Sequence, residues 1–457
     1  CCDTDRKLTW SDLWSQANLL AYRAIPSAIT GQSIALIPCF SDLEFYPKLL
    51  ACWMRNLVAC PINPDIHESE MVALLRHLPR NIFVFHAERH PSDVISSHVS
   101  AYSPGRSHSA PIEQFSLLML TSGSTGDPKA VLFTEAEILA GIDIARLAGS
   151  GNTKRLLNLR PLFTAAGLYS LWPTFWSDRK ILLSENALKL PHAESFLAVL
   201  EKYRPDDISA PIAYMKSVAR GCPGIIPDRY GEIWLRVVGQ KPTSADIRAV
   251  LAIYPFRLMI RYAMTECIHT ICTNSAEPGD FSDMEGVNVG GPLPGFSMSV
   301  DGNIRIRSEG MSHASFRDGC IEQQRFDAWF DTGDEARLRE DGTVFLLGRG
   351  PSWICRAGFR FSCYEIEDVL LRHGQVSDAA VVAVPNDKTG ESPHAFVSLR
   401  EGSVERIVLQ EIKELCYSNL SPKKIPVGFS VIQEIPMNAA GKRDWRELMR
   451  RWRTLHS

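Results

Sequence analysis

Apolar residues recur at helical spacing over 8–21, where Leu8, Leu13, Ala17 and Leu20 share one face and Ser11 and Asp12 are placed as start signals. A short apolar run at 33–38 reads as a strand, 42–60 as an apolar helix and 82–86 as another strand. The alternation resumes with strands at 156–159 and 180–183 and helices at 165–175 and 192–202. Strands alternating with helices of this length predict a mostly parallel sheet with crossover helices. Beyond residue 283 the texture becomes strand- and turn-rich, with short runs at 297–300, 303–307 and 344–347. From 350 onward, helices near 364–372 and 404–417 and strands at 376–384 and 394–399 form a separate α+β unit, long enough for a small domain. The predicted class is therefore α/β. A large N-terminal domain carries mixed, mostly parallel sheets and a strand-rich subdomain, and a small C-terminal domain follows.

Composition narrows the function classes. A chain of 457 residues is too long for one small core. Its net charge of −3 gives no electrostatic reason to expect a nucleic-acid or anionic-membrane partner. No apolar run approaches the ~18–20 residues of a membrane span. Twelve cysteines without a Cys-x-x-Cys pair are too sparse for a disulfide scaffold, and a reducing cytoplasmic location fits them best. Cys267-x-His269-x-x-Cys272 has the look of a metal cluster, but tetrahedral zinc needs a fourth ligand and no second cluster is present. Packing is the better reading there.

The candidate chemistry begins at Thr121-Ser122-Gly123-Ser124-Thr125-Gly126, which leaves an apolar run and carries Lys129 three residues beyond its last glycine. Glycines let the backbone approach a ligand closely, and clustered N–H and hydroxyl donors suit an anion such as phosphate. It is not a Walker loop, because Pro128 and Ala130 stand where that motif needs Gly and Ser/Thr. Taken alone, such a stretch is as easily a surface turn.

The loop Thr-Ser-Gly-Ser-Thr-Gly-x-Pro-Lys resembles the nucleotide loop of the AMP-forming acid ligases, the superfamily of acyl- and aryl-CoA synthetases, peptide-synthetase adenylation domains and luciferases. Further segments resemble that family in its own order. They are Arg261-Tyr262-Ala263-Met264-Thr265-Glu266, Gly290-Gly291-Pro292-Leu293-Pro294-Gly295, Asp331-Thr332-Gly333-Asp334, Gly348-Arg349, Gly358-Phe359-Arg360-Phe361 with Glu365-Ile366-Glu367, and Asn438-Ala439-Ala440-Gly441-Lys442. The resemblance spans nearly the whole chain. It implies an adenylation core over 1–349, a hinge at Gly350 and Pro351, and a mobile lid domain over 352–457.

The resemblance also implies roles. Thr121 to Gly126 and Lys129 would cradle the β- and γ-phosphates of ATP. Tyr262 would lie against adenine, Thr265 would bond the α-phosphate, and Glu266 would hold Mg²⁺, a hard ion that prefers oxygen ligands. Asp334 would accept from the ribose hydroxyls, and Arg349 would bridge ribose or phosphate to the hinge. Lys442 would meet the carboxylate and α-phosphate at the point of attack, where an ammonium offsets the repulsion of two anions. The catalytic set is thus Lys442, Thr265 and Glu266. The product is an acyl adenylate with release of pyrophosphate, and the acyl group then passes to CoA or to a separate carrier's pantetheine. Delivery to an amine without domain rotation is the competing reading, and a degenerate non-catalytic nucleotide binder is a lesser one.

Departures from the family pattern bear on the acid. Phe163, Thr164, Ala165, Ala166 and Gly167 occupy the segment where relatives often carry His, and Thr164 takes its place. A threonine cannot neutralise an ammonium, so an α-amino acid is not expected. With Ala263 and Met264 these residues predict a mainly apolar pocket for an aryl or medium-sized acyl acid. Gly239 and Gln240 stand near its mouth, where Gln240 and Lys241 could read a polar group. Pro351 at the hinge locks φ but leaves ψ free, which favours the amine reading modestly.

Overall fold

The computed structural model describes the chain apart from residues 1–5, 28, 30–32, 40–42, 65–70, 72–74, 76–77, 79–81, 86–111, 113, 123–127, 148–153, 170–171, 173–179, 184–192, 223, 225, 227–229, 240–241, 243, 277–280, 283–285, 318–319, 324, 326, 350–352, 357–358, 387–388, 439–442 and 457. The first helix runs Trp10–Leu19 and is capped earlier than Ser11 and Asp12 suggested. Thr9 is the N-cap: its hydroxyl accepts from the Asp12 N–H at 3.1 Å while Asp12 accepts from the Thr9 N–H at 2.9 Å. This reciprocal box satisfies two N–H groups that the helix itself leaves open.

The apolar stretch 42–60 divides. A helix covers Phe45–Met54, the chain reverses at Asn56 with φ of +53°, and a strand covers Val58–Ile62. Helix and strand are both buried, so their apolar residues run together and periodicity does not separate them.

Two sheets form the bulk of the large domain. The first holds Ile82–Val84, Ile34–Pro38, Val58–Ile62 and Phe115–Ser122 in parallel, then Pro128–Thr134, Ala314–Arg317 and Cys320–Gln323 antiparallel. Core packs on both its faces: Ala35, Ile37 and Ala59 join one cluster, while Ile34, Leu36 and Val58 join the other. The second sheet runs Lys180–Leu183, Arg155–Asn158, Asp207–Ser209, Trp234–Val238 and Arg257–Ala263, all parallel, with Thr270–Ala276 antiparallel at its edge. The mostly parallel large domain expected from the alternation is present. Ligand crevices form at the carboxyl ends of such strands, where Val238 pairs with Arg261, one residue before Gly239 and two before Ala263.

A third, antiparallel sheet accounts for the strand-rich texture after residue 283, with Val344–Arg349 and Phe330–Leu338 at its centre. The C-terminal part has its own sheet, built on Val376–Asn386 paired with Gly390–Leu399, and its own core around Ile354, Ile366, Val381 and Ile412. No described helix is long and apolar enough to cross a membrane.

Candidate functional site

Phe115–Ser122 and Pro128–Thr134 form a hairpin in which Thr121 faces Lys129 and Ser122 faces Pro128. The glycine- and hydroxyl-bearing segment therefore connects the two strands of a ribbon at the edge of the first sheet's parallel part. Gly123, Ser124, Thr125 and Gly126 lie outside the described residues. The second hairpin strand leads directly into the helix Glu135–Leu147, whose start is fixed by another reciprocal box. The Thr134 N–H donates to Glu137 at 2.8 Å and the Glu137 N–H to the Thr134 hydroxyl at 3.2 Å.

That helix packs hard on the segment carrying Thr265 and Glu266. A Cβ on Gly141 would stand 2.4 Å from the Cβ of Ile268, two residues past Glu266. The Ser312 N–H donates to the Glu266 carbonyl at 2.7 Å, and the Cys267 N–H closes a turn onto Met264 at 3.2 Å. The strand Arg257–Ala263 is itself irregular at Tyr262/Ala263, where its register with the edge strand shifts. Bulges of this kind bend a strand and re-aim its side chains.

Tyr262 and Asp334 meet across two sheets. The Tyr262 hydroxyl donates to Asp334 Oδ2 at 2.7 Å. Burial, and then the neighbouring Asp334, push the Tyr262 phenol well above its ordinary range, so it remains a donor. Asp334 is placed by a tight local frame. Gly333 takes φ of +69°, and the buried Thr332 hydroxyl donates to the Ile304 carbonyl at 2.9 Å while accepting from the Asp334 N–H at 3.1 Å. Arg349 is the last residue of Val344–Arg349, and its backbone pairs with Asp334.

The segment 163–167, expected to line an acid pocket, leads into Tyr169, which bonds the Thr265 carbonyl. Thr164 caps the short helix Ala165–Tyr169: its hydroxyl donates to the Pro161 carbonyl at 2.8 Å and accepts from the Gly167 N–H at 3.1 Å. Gly167 is required by contact, since a Cβ there would lie 2.0 Å from the Pro161 carbonyl oxygen. Phe163, Thr164, Ala165 and Ala166 are half-buried, as are Ala263 and Met264. Gly239, with φ of +86°, follows the end of the neighbouring strand Trp234–Val238. Gln240, Gly350, Pro351 and Lys442 lie outside the described residues.

Tyr169 was not singled out from the sequence, yet it joins three parts of the site. Its hydroxyl donates to the Thr265 carbonyl at 3.3 Å, and its ring meets Phe133 of the hairpin edge-on at 6.2 Å. Burial and then Glu266 hold its phenol well above the usual range. An aromatic within an apolar run gives no sequence signal for such a role. Cys267 and Cys272 are buried free thiols, and Cys267 is raised well above its ordinary pKa by burial and then by Glu266.

Among the described residues no group of three or more His, Cys, Asp or Glu could hold a metal. Glu266 offers one half-buried carboxylate on a turn. That donor set suits magnesium, which keeps several waters and takes one or two carboxylates together with substrate phosphates.

Comparison with known proteins fits this geometry. The family model described as AMP-binding enzyme matches residues 1–303, and the one described as AMP-binding enzyme C-terminal domain matches 365–442. The 2-succinylbenzoate–CoA ligase of Bacillus licheniformis is 23% identical, covering 96% of this chain and 94% of that protein. The 4-coumarate–CoA ligase-like 4 of Oryza sativa subsp. japonica is 25% identical over 96% of this chain and 87% of that protein. Among solved structures, the O-succinylbenzoate coenzyme A synthetase of Bacillus subtilis in complex with ATP and magnesium ion superposes with a TM-score of 0.77 at 21% identity. It covers 98% of this chain and 95% of that one.

Proposed function

The chain belongs to the AMP-binding enzyme family, and from that premise we propose how its own residues work. It is an adenylating acid ligase that uses ATP and Mg²⁺ to form an acyl adenylate, releases pyrophosphate and passes the acyl group to CoA. The observation that carries the assignment of roles is the Tyr262–Asp334 hydrogen bond, which brings the adenine segment and the ribose carboxylate together at the carboxyl ends of parallel strands.

The substrate carboxylate is the nucleophile, so the protein's work is alignment and charge stabilisation. The Thr121–Lys129 hairpin tip holds the outer phosphates. Thr265 bonds the α-phosphate, and Glu266 supplies a carboxylate to magnesium, which when bound neutralises phosphate charge. Asp334 holds the ribose and Arg349 links it to the hinge at Gly350 and Pro351. Lys442, on the small domain over 352–457, stabilises the transferring phosphorus. The acid is an aryl or medium-sized acyl acid seated against Phe163, Thr164, Ala165 and Met264. The names of the relatives, 2-succinylbenzoate and 4-coumarate ligases, favour an aryl acid. A reducing cytoplasmic location fits the sparse cysteines, and a carrier pantetheine is a secondary acceptor.

The test is acid-dependent pyrophosphate release with benzoate, 2-succinylbenzoate, 4-coumarate and hexanoate, with and without CoA. Lys442→Ala should lower kcat by ~100-fold or more with little change in ATP KM, because the lysine acts chiefly in the transition state. Wild-type rates in that variant would remove Lys442 from the mechanism. Turnover only with an added amine would favour the direct-transfer reading that Pro351 suggests.

A further inference from the structure

Five charged side chains meet where the C-terminal part packs on the large domain. Lys216, on the helix Ile212–Gly221, places Nζ 2.6 Å from Asp246 and 3.1 Å from Asp378 Oδ1. Asp246 lies on the helix Ser244–Leu251 of the large domain, and Asp378 on the strand Val376–Asn386 of the small one. The same Asp378 oxygen lies 3.6 Å from Arg443 Nη2, and Arg443 Nη1 donates to Glu367 of the helix Cys363–Leu371. None of the five is more than 9% exposed.

Buried charge of this kind is weak evidence for stability, because desolvation offsets much of the attraction. Its effect is geometric. A charge left without its partner in a dry interface is costly, so the cluster tolerates few relative placements of the two domains. Burial works against the Lys216 ammonium, but Asp246 and Asp378 together hold its pKa above the ordinary lysine value, so it stays charged.

Asp378 is the joint. One carboxylate oxygen serves an ammonium from the large domain and a guanidinium from the residue that follows Lys442 in the chain. Arg443 is also tied through its backbone: it forms an antiparallel bridge with Met437, and the next N–H, of Asp444, donates to the Pro436 carbonyl at 2.9 Å. The C-terminal anchor of the Asn438–Lys442 motif is therefore fixed by charge and by backbone together.

Resting on the role of Lys442 given above, we propose that Lys216, Asp378 and Arg443 form a closure latch for the adenylation step. Docking of the small domain completes the Lys216–Asp378 pair, and the same carboxylate also holds Arg443, the next residue in sequence after Lys442. These are positioning residues, acting through Lys442. Rotation of the small domain for thioester formation separates Lys216 from Asp378, so the latch serves one half-reaction and opposes the other.

The test replaces the large-domain half as a neutral pair, Lys216→Met with Asp246→Asn, which leaves Arg443 both of its carboxylates. Acid-dependent pyrophosphate release should fall at least ~10-fold in kcat with ATP KM within ~2-fold, the signature of an interaction made in the transition state. Thioester formation from CoA and a supplied adenylate, that of the panel acid with the highest rate, should be as fast as in wild type or faster. Lys216→Arg should recover most of the adenylation rate. Equal losses in both half-reactions, or no loss in adenylation, would reduce the cluster to a structural role. Should the double variant lack a melting transition, Lys216→Gln gives the same comparison of half-reactions. The two failures separate cleanly. A wild-type protein without acid-dependent pyrophosphate release refutes the ligase reading, whereas an active wild type matched by the variant refutes the latch alone.

Discussion

Tyr262 and Asp334, 72 positions apart in the chain, share a hydrogen bond of 2.7 Å that joins the end of a parallel strand to a separate antiparallel sheet. One oxygen of Asp334 is thereby committed to a phenol that burial keeps protonated. In the role proposed for Asp334, a carboxylate oriented in this way would meet the paired hydroxyls of a ribose already placed.

Tyr262→Phe retains the ring and removes the donor. ATP KM should rise ~2–10-fold, because Asp334 keeps its charge and loses only the bond that orients it, with kcat at saturating ATP within ~2-fold. Asp334→Asn removes a charge-assisted acceptor and should raise KM ~10–100-fold. Initial rates against ATP decide it: an unchanged KM in Asp334→Asn would deny that residue the ribose.

Gly167→Ala and Thr164→Asp separate fold from specificity within a few residues. The alanine Cβ would meet backbone at Pro161, which cannot move aside as a side chain can, so a loss of ~1–3 kcal/mol is expected in thermal or denaturant unfolding. Aspartate at 164 keeps an acceptor for the Gly167 N–H and still caps the helix, but it cannot donate to the Pro161 carbonyl as Thr164 does, so a loss of ~1–2 kcal/mol is expected. Activity with apolar acids should nevertheless drop in Thr164→Asp, since a carboxylate would border the pocket. A substrate profile identical to wild type would place Thr164 outside the pocket.

Pro351→Asp tests the hinge. The adenylation half-reaction should change little, because it uses the docked arrangement. CoA-dependent turnover should rise if the proline ring restrains φ during rotation, since domain motions of this kind often limit kcat. A variant no faster than a wild type that already forms thioester would leave Pro351 as an ordinary linker proline.

His269 predicts an acid-side loss of stability. Burial, and then the nearby Arg261, lower its pKa to about 3. The unfolded chain takes up this proton near pH ~6.5, whereas the folded protein does not until about 3. Unfolded protein therefore binds more protons across that window, and stability falls as pH drops through it. Between pH 7 and 5, wild type should lose ~2 kcal/mol more than His269→Gln in denaturant unfolding. Parallel curves for the two proteins would mean that His269 is already protonated in the fold.

The segments that mark the family were legible in the sequence because each is written in consecutive residues. Glycine at 333 and the hydroxyl at 332 shape the turn at Asp334 from neighbouring residues, while that hydroxyl's own anchor, the Ile304 carbonyl, lies 28 positions away. The strand–helix alternation was equally readable, since burial against one partner layer imposes its period on contiguous residues. The reading failed where neighbours share an environment: 45–54 and 58–62 are both buried, and only the left-handed Asn56 divides them. It also passed over Thr9 as a cap, because Ser11 and Asp12 carry the same kind of signal two residues later.

The sequence by itself determined the family and the class of fold, which rest on motifs and periods written in residues close along the chain. Tertiary structure alone decided that Tyr262 holds Asp334, that Tyr169 supports Thr265, and that Lys216 reaches Asp378 across 162 positions. Pairings at such separation leave no periodic or compositional trace. They depend on which faces the packed sheets and helices bring together, and that is fixed only when the whole core closes.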